Sequence, residues 1–154
     1  MTPRLNAYSA APEGFKAMMG LSDYVTNCPL EHSLQELVKI RASQINGCAN
    51  CLHMHTSDAR KAGETEARIY LLNAWRESNL YTPRERAALA WTEALTRLAE
   101  TGAPDEAYAA VTAQFNDEEV VALTILIGNI NTFNRFGVGF RVGPIGLTAP
   151  AKAA

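Results

Sequence analysis

Cys48-Ala49-Asn50-Cys51, with His55 four residues further on, holds the side chains of this chain best suited to chemistry. On a helix beginning at Cys48, positions three and four apart share a face, so Cys48, Cys51 and His55 form one stripe. The start of a helix offers unpaired backbone N–H groups and the positive end of the macrodipole, and both favour a thiolate over a thiol. A free thiol of pKa ~8.5 is only a few per cent ionised at neutral pH, whereas such positions lower it to roughly 3.5–7.5. The pair therefore reads as dithiol–disulfide redox chemistry or as part of a metal site. Cys48 sits nearer the helix start and Cys51 lies one turn from His55, so spacing alone leaves either as the nucleophile.

Glu36 stands twelve residues before Cys48. If the segment up to Asn46-Gly47 is a helix antiparallel to the one bearing the cysteines, Glu36 comes to face His55. A carboxylate accepting from one imidazole nitrogen fixes the tautomer and makes the other nitrogen a better base toward a thiol. Glu36 also falls between Leu34 and Leu37 on an inward-facing patch, where a buried carboxylate needs a partner.

Zinc is the main rival, since Cys48, Cys51, His53 and His55 are four ligating side chains. His53 points off the stripe that holds the other three, which leaves the shell incomplete, so no metal and no cofactor are assigned. The remaining polar and aromatic candidates have plainer readings. Cys28 is expected to fill space, His32 to be exposed in a first helical turn, and His53 to lie at the surface. Trp75 and Trp91 are expected in a core or interface. Asn131, Asn134 and Arg135 are expected in satisfied hydrogen bonds or an interface ion pair.

The elements that must position these residues follow from apolar spacing, which is helical almost throughout. The expected fold is all-α, a single-domain bundle of about six to seven helices. They span about 12–25, 31–45, 48–62, 65–77, 83–100, 104–114 and 117–136. Inward positions in the first are Phe15, Met18, Met19, Leu21 and Val25, and in the sixth Tyr108 and Val111. Thr82-Pro83-Arg84-Glu85 forms a capping box with proline at the first helical position, and Asn116-Asp117-Glu118-Glu119 repeats the box. The run Val120–Ile127 is apolar nearly all round and must be buried on most sides. A chain of 154 residues has limited room for that, so a homo-oligomer is expected. The core is expected over about 12–140 and an irregular tail over 141–154.

With 47% hydrophobic and 19% charged residues the chain is suited to one folded domain. A formal net charge of −2 gives no pull toward nucleic acid or an anionic membrane. The longest apolar run falls far short of the ~20 residues of a membrane span, and the N-terminal residues show no signal-peptide pattern. Three cysteines are too few for a secreted disulfide framework, so a cytoplasmic protein is expected.

The stretch from Glu36 through Asn46-Gly47-Cys48-Ala49-Asn50-Cys51 to His55 resembles the alkylhydroperoxidase D-like branch of the carboxymuconolactone decarboxylase superfamily. Further likeness lies in 58–66, 84–93 and 131–137, and it extends over about residues 12–140. The resemblance implies a helical subunit assembling as a trimer or hexamer, with peroxidase or disulfide-reductase activity toward a hydroperoxide. It implies Cys51 as the thiol attacking peroxide, Cys48 as the resolving thiol, and Glu36 and His55 as the proton relay. The reductant it implies is a lipoyl domain, a thioredoxin-like protein or a small thiol. Asn50 stands where the family's peroxidases often carry histidine. The decarboxylases that name the superfamily lack the cysteine pair, so lactone decarboxylation is not implied here. The reading of another class is a non-catalytic oligomer using the pair as a redox sensor or metal clip.

Overall fold

Side-chain caps mark where several of the helices begin. The computed structural model describes residues 2–147. In chain order it contains α1 Ala7–Ala10, α2 Pro12–Thr26, α3 His32–Asn46, α4 Ala49–Lys61 and α5 Glu66–Leu71, which runs into a 3₁₀ segment Leu72–Glu77. These are followed by α6 Pro83–Thr96, α7 Leu98–Thr101, α8 Asp105–Thr112 and α9 Asp117–Gly139. Thr82 and Asn116 each accept from the N–H three residues on, while Glu85 and Glu119 reach back, so both expected capping boxes form. The all-α expectation holds among the described residues, and the residues after 147 of the expected tail lie outside them.

α3 is the central helix. Leu37, Val38 and Ile40 are fully buried on it, and it packs against α4, α6 and α9. One core cluster joins the end of α2 and α3 to α6, α8 and α9 through Val25, Leu34, Trp91, Val111, Leu123 and Leu126. A second joins α3 to α4, the 3₁₀ segment and α6 through Leu37, Ile40, Ala59, Leu72, Trp75 and Leu89. A small third cluster, Ala42, Cys48, Cys51 and Ile130, encloses the cysteine pair between α3, α4 and α9.

The elements depart from expectation in specific places. The expected helix over 83–100 breaks at Arg97, whose backbone (φ −105°, ψ 35°) leaves the helical region. The four-residue α7 that follows buries no side chain, so packing does not hold the longer helix straight. The expected helix over 65–77 tightens to 3₁₀ after Leu71 and is kinked at Ala74. Of the five inward positions expected on α2 only Val25 is buried, while Met19 and Leu21 are 42% and 41% exposed. Tyr108 is exposed rather than inward, its ring set against that of Trp91 with centroids 5.9 Å apart. Val121 and Thr124 leave one side of the apolar stretch of α9 open in the single chain.

Candidate functional site

The turn between α3 and α4 is built around Gly47, the left-handed cap of α3 (φ 67°), and the N–H of Cys48 bonds back to the carbonyl of Ser43 at 3.0 Å. Cys48 is therefore the N-cap of α4 rather than its first helical residue, and its Sγ accepts from the N–H of Cys51 at 3.4 Å. A sulfur in this position meets the open N–H groups of the helix, which favours its ionised form once reduced. The Sγ atoms of Cys48 and Cys51 lie at disulfide distance, with their Cα atoms 5.4 Å apart.

α9 supplies the wall behind the sulfurs. A Cβ on Gly137 would stand 2.6 Å from Sγ of Cys48 and 3.7 Å from Sγ of Cys51, so this helix approaches the pair only because residue 137 has no side chain. Asn46 fixes the approach, donating from Nδ2 to Oδ1 of Asn134 at 2.8 Å and to Oδ1 of Asn131 at 3.0 Å. Asn134 in turn donates to Oγ of Ser43 at 3.0 Å and Asn131 to the carbonyl of Ile127 at 2.8 Å, so Asn131 and Asn134 are satisfied as expected. Arg135 is exposed and donates to the carbonyl of Asn131.

Glu36 is 3% exposed on α3, and its Oε2 lies 2.9 Å from Nδ1 of His55 on α4. Its other oxygen accepts from Nζ of Lys39 at 2.8 Å. Burial pushes the Glu36 carboxyl up, but the hydrogen bonds and charge of His55 and Lys39 outweigh it and hold its pKa below the ordinary carboxylate value. The carboxylate stays ionised and keeps Nδ1 of the imidazole engaged, which leaves Nε2 as the nitrogen free for proton transfer.

Two cavities meet the site. One of about 560 Å³ is lined by Cys51, Asn50 and Met54 of α4, by Phe133, Phe136 and Gly137 of α9, and by residues within 3–8 and 140–145. The other, about 330 Å³, is lined by His55, Lys39 and residues of α2 and α9; Met54 and Phe133 border both. The structure thus brings Glu36 to His55 and Cys48 to Cys51, with Cys51 and His55 reaching different cavities across Met54 and Phe133. His53 is partly buried, and among the described residues no three His, Cys, Asp or Glu side chains converge as metal ligands. Cys28 is half-buried, taking a hydrogen bond from Gln35 at 3.7 Å. Sequence reasoning assigned no role to Gly137 or Lys39. The first lies inside the stretch 131–137 that carries the resemblance, and the second is one helical turn from Glu36.

The model of the carboxymuconolactone decarboxylase family matches residues 12–94. The Bacillus subtilis (strain 168) protein YdfG is 46% identical over 138 residues, 90% of this chain and 94% of YdfG. The chain belongs to the carboxymuconolactone decarboxylase family. Among solved structures, a protein of unknown function from Agrobacterium tumefaciens, named as a candidate antioxidant defence protein AhpD, is 50% identical with a TM-score of 0.90, covering 93% of this chain and 98% of its own. This close structural neighbour makes the chain an AhpD-like member of the family. The debrominase Bmp8 shares the fold at a TM-score of 0.78 and 18% identity, over 86% of this chain and 72% of Bmp8.

Proposed function

We propose that this protein is a thiol-dependent peroxidase and disulfide reductase in which Cys51 and Cys48 cycle between dithiol and disulfide. The observation that supports it most directly is a buried cysteine pair at disulfide distance with Cys51 on the wall of an apolar cavity. A structural neighbour named for antioxidant defence agrees with that chemistry.

In the reduced protein the Cys51 thiolate attacks the terminal oxygen of a hydroperoxide. An S–O bond forms as the O–O bond breaks, and the leaving alkoxide takes the proton that the Cys51 thiol gave up to Nε2 of His55, carried between the two cavities through water. The Cys48 thiolate then attacks the sulfur of the Cys51 sulfenic acid; the S–S bond forms, the S–O bond breaks, and the hydroxyl leaves as water with the proton that the Cys48 thiol released. A lipoyl domain, a thioredoxin-like protein or a small thiol returns two electrons and two protons. Cys51 is assigned the attack because it borders the cavity. Cys48, at 1% exposure and capped by a backbone N–H, suits the resolving role.

We place this cycle in the cytoplasm, where thiol reductants are abundant. The working form is read as a homo-oligomer, trimer or hexamer, which would cover Met19, Leu21 and Tyr24, all exposed in the single chain. No helix of the described residues is long and apolar enough to cross a membrane.

Stopped-flow consumption of hydrogen peroxide and of an organic hydroperoxide by the reduced protein, with thiol counts before and after, tests the reading. Loss of two thiols per chain and abolished turnover in Cys51→Ser is the expected result. Unchanged thiols, or full activity in Cys51→Ser, overturns it.

A further inference from the structure

The wall of the Cys51 cavity is completed by a segment before α2 and one after α9. α9 ends in a turn where Arg141 takes a left-handed backbone (φ 57°), and the N–H of Val142 bonds to the carbonyl of Gly137 at 2.8 Å. That turn sends the following arm back over α4. Phe140, Val142, Gly143 and Ile145 of the arm line the cavity together with Pro3 and Leu5 to Tyr8. The N-terminal segment is tied to the same place: the N–H of Arg4 donates to the carbonyl of Phe140 at 2.9 Å, and its guanidinium to that of Gly139 at 3.1 Å.

Beyond the turn, one hydrogen bond among the described residues joins the arm to α4. The N–H of Ile145 donates to Oδ1 of Asn50 at 3.1 Å. Ile145 is 73% exposed, so apolar burial does little to hold this part of the arm down, and the polar contact is what ties it to α4. Asn50 lies between the two cysteines, adjacent to Cys51. Its side chain has no role in the proposed proton relay.

We propose that Asn50 is a latch: by accepting from Ile145 it holds the arm of residues 140–147 closed over Cys51, so that the arm sets the size of reactant that reaches this sulfur. Asn50 is thereby a positioning residue that governs access. The proposal builds on Cys51 as the reacting thiol, but its test reads access to that thiol and stands whether or not the protein turns over peroxide.

The experiment uses the full chain with Cys28→Ser and Cys48→Ser, leaving Cys51 as the lone thiol, and compares alkylation by iodoacetamide with that by a bulky dye-maleimide. Three variants are added to this background: Asn50→Ala, which loses the acceptor; Asn50→Asp, which keeps an acceptor oxygen; and a chain ending at Val142, which keeps the turn but lacks Ile145. The expected result is a rise of about two- to tenfold in the bulky-reagent rate for Asn50→Ala, the shift that losing one hydrogen bond produces. The shortened chain should rise at least as far, Asn50→Asp should stay near the parent, and iodoacetamide should change by less than about twofold in all, since opening a local segment need not alter the thiol itself. If the shortened chain speeds up and Asn50→Ala does not, the arm covers Cys51 without the latch and the proposal fails. It fails equally if neither changes, if Asn50→Asp rises with Asn50→Ala, or if both reagents accelerate together, which marks general loosening.

Discussion

Nδ1 of His55 and Oε2 of Glu36 stand 2.9 Å apart, joining α4 to α3 across the interior. Glu36 has two anchors, His55 on one oxygen and Lys39 on the other. An amide of the same shape keeps one acceptor oxygen, for Lys39, and presents an N–H where the second oxygen stood, so Glu36→Gln can hold Nδ1 of His55 only as an acceptor. With the imidazole then in the tautomer that carries its proton on Nε2, it no longer serves as a base, and peroxide turnover is expected to fall about 100-fold or more, in the range that general acid–base groups contribute. Steady-state kcat/KM with a saturating dithiol, alongside a circular dichroism spectrum matching the parent, is the measurement. Undiminished turnover would remove the relay from the mechanism.

Gly137 makes a different claim on the same site. In an ordinary helix interior Gly→Ala gains about 0.5–1 kcal/mol, because glycine loses more chain freedom on folding. Here the added Cβ would come within 2.6 Å of a buried sulfur, and overpacking of that kind costs about 1–3 kcal/mol. The clash wins. Gly137→Ala should lower the melting temperature of the oxidised protein by several degrees, at about 2–4 °C per kcal/mol for a chain of this size. An unchanged or higher melting temperature would show that α9 shifts away from the pair at little cost.

The contrast between Glu36 and Gly137 shows what was legible in the sequence. Glu36, Cys48, Cys51 and His55 sit on two helices joined by one tight turn, so spacing along the chain is nearly the same information as distance in space. Gly137 approaches from the last helix, and no local periodicity reports such a contact. The capping boxes at Thr82 and Asn116 formed because they are local. The break at Arg97 and the exposure of Met19 and Leu21 depend on which surfaces find a partner, which apolar spacing does not encode.

Away from the cysteines, α3 is held to α6 by a partly buried ion pair. Nε of Arg41 donates to Oε1 of Glu93 at 2.8 Å, and the same oxygen accepts from Nε1 of Trp75 at 2.8 Å. Arg41 is 6% exposed and donates further to Asn73 and Gln44. Removing one partner leaves the other charge without compensation, which costs about 3–5 kcal/mol for a buried pair. Glu93→Ala should therefore unfold at clearly lower urea than the parent. Replacing both residues, as Arg41→Met with Glu93→Leu, should recover much of the loss. A double variant no better than Glu93→Ala would mean that the pair positions α3 in a way apolar packing does not replace.

The acid limb of stability follows from the same carboxylates. For Glu36, Glu85 and Glu93 burial pushes the pKa up, yet hydrogen bonds and charge from their partners prevail and leave it below the ordinary 4.5. Glu119 is lowered mainly by its hydrogen bond to Arg84. A group whose folded pKa is depressed binds its proton more readily when unfolded. Its contribution is therefore complete above the unfolded value and disappears as pH falls through the folded one. These four groups predict a stability that is level from neutral pH down to about 5 and drops below about 4.5. Glu93→Gln supplies the control. Its deficit against the parent should be largest near pH 7 and should narrow toward pH 3, as Glu93 of the parent becomes protonated too. Urea midpoints of both proteins at pH 7, 5, 4 and 3 decide the matter. A gap that stays constant over this range would mean that Glu93 stabilises the fold by shape and hydrogen bonding alone, and that the acid loss arises elsewhere.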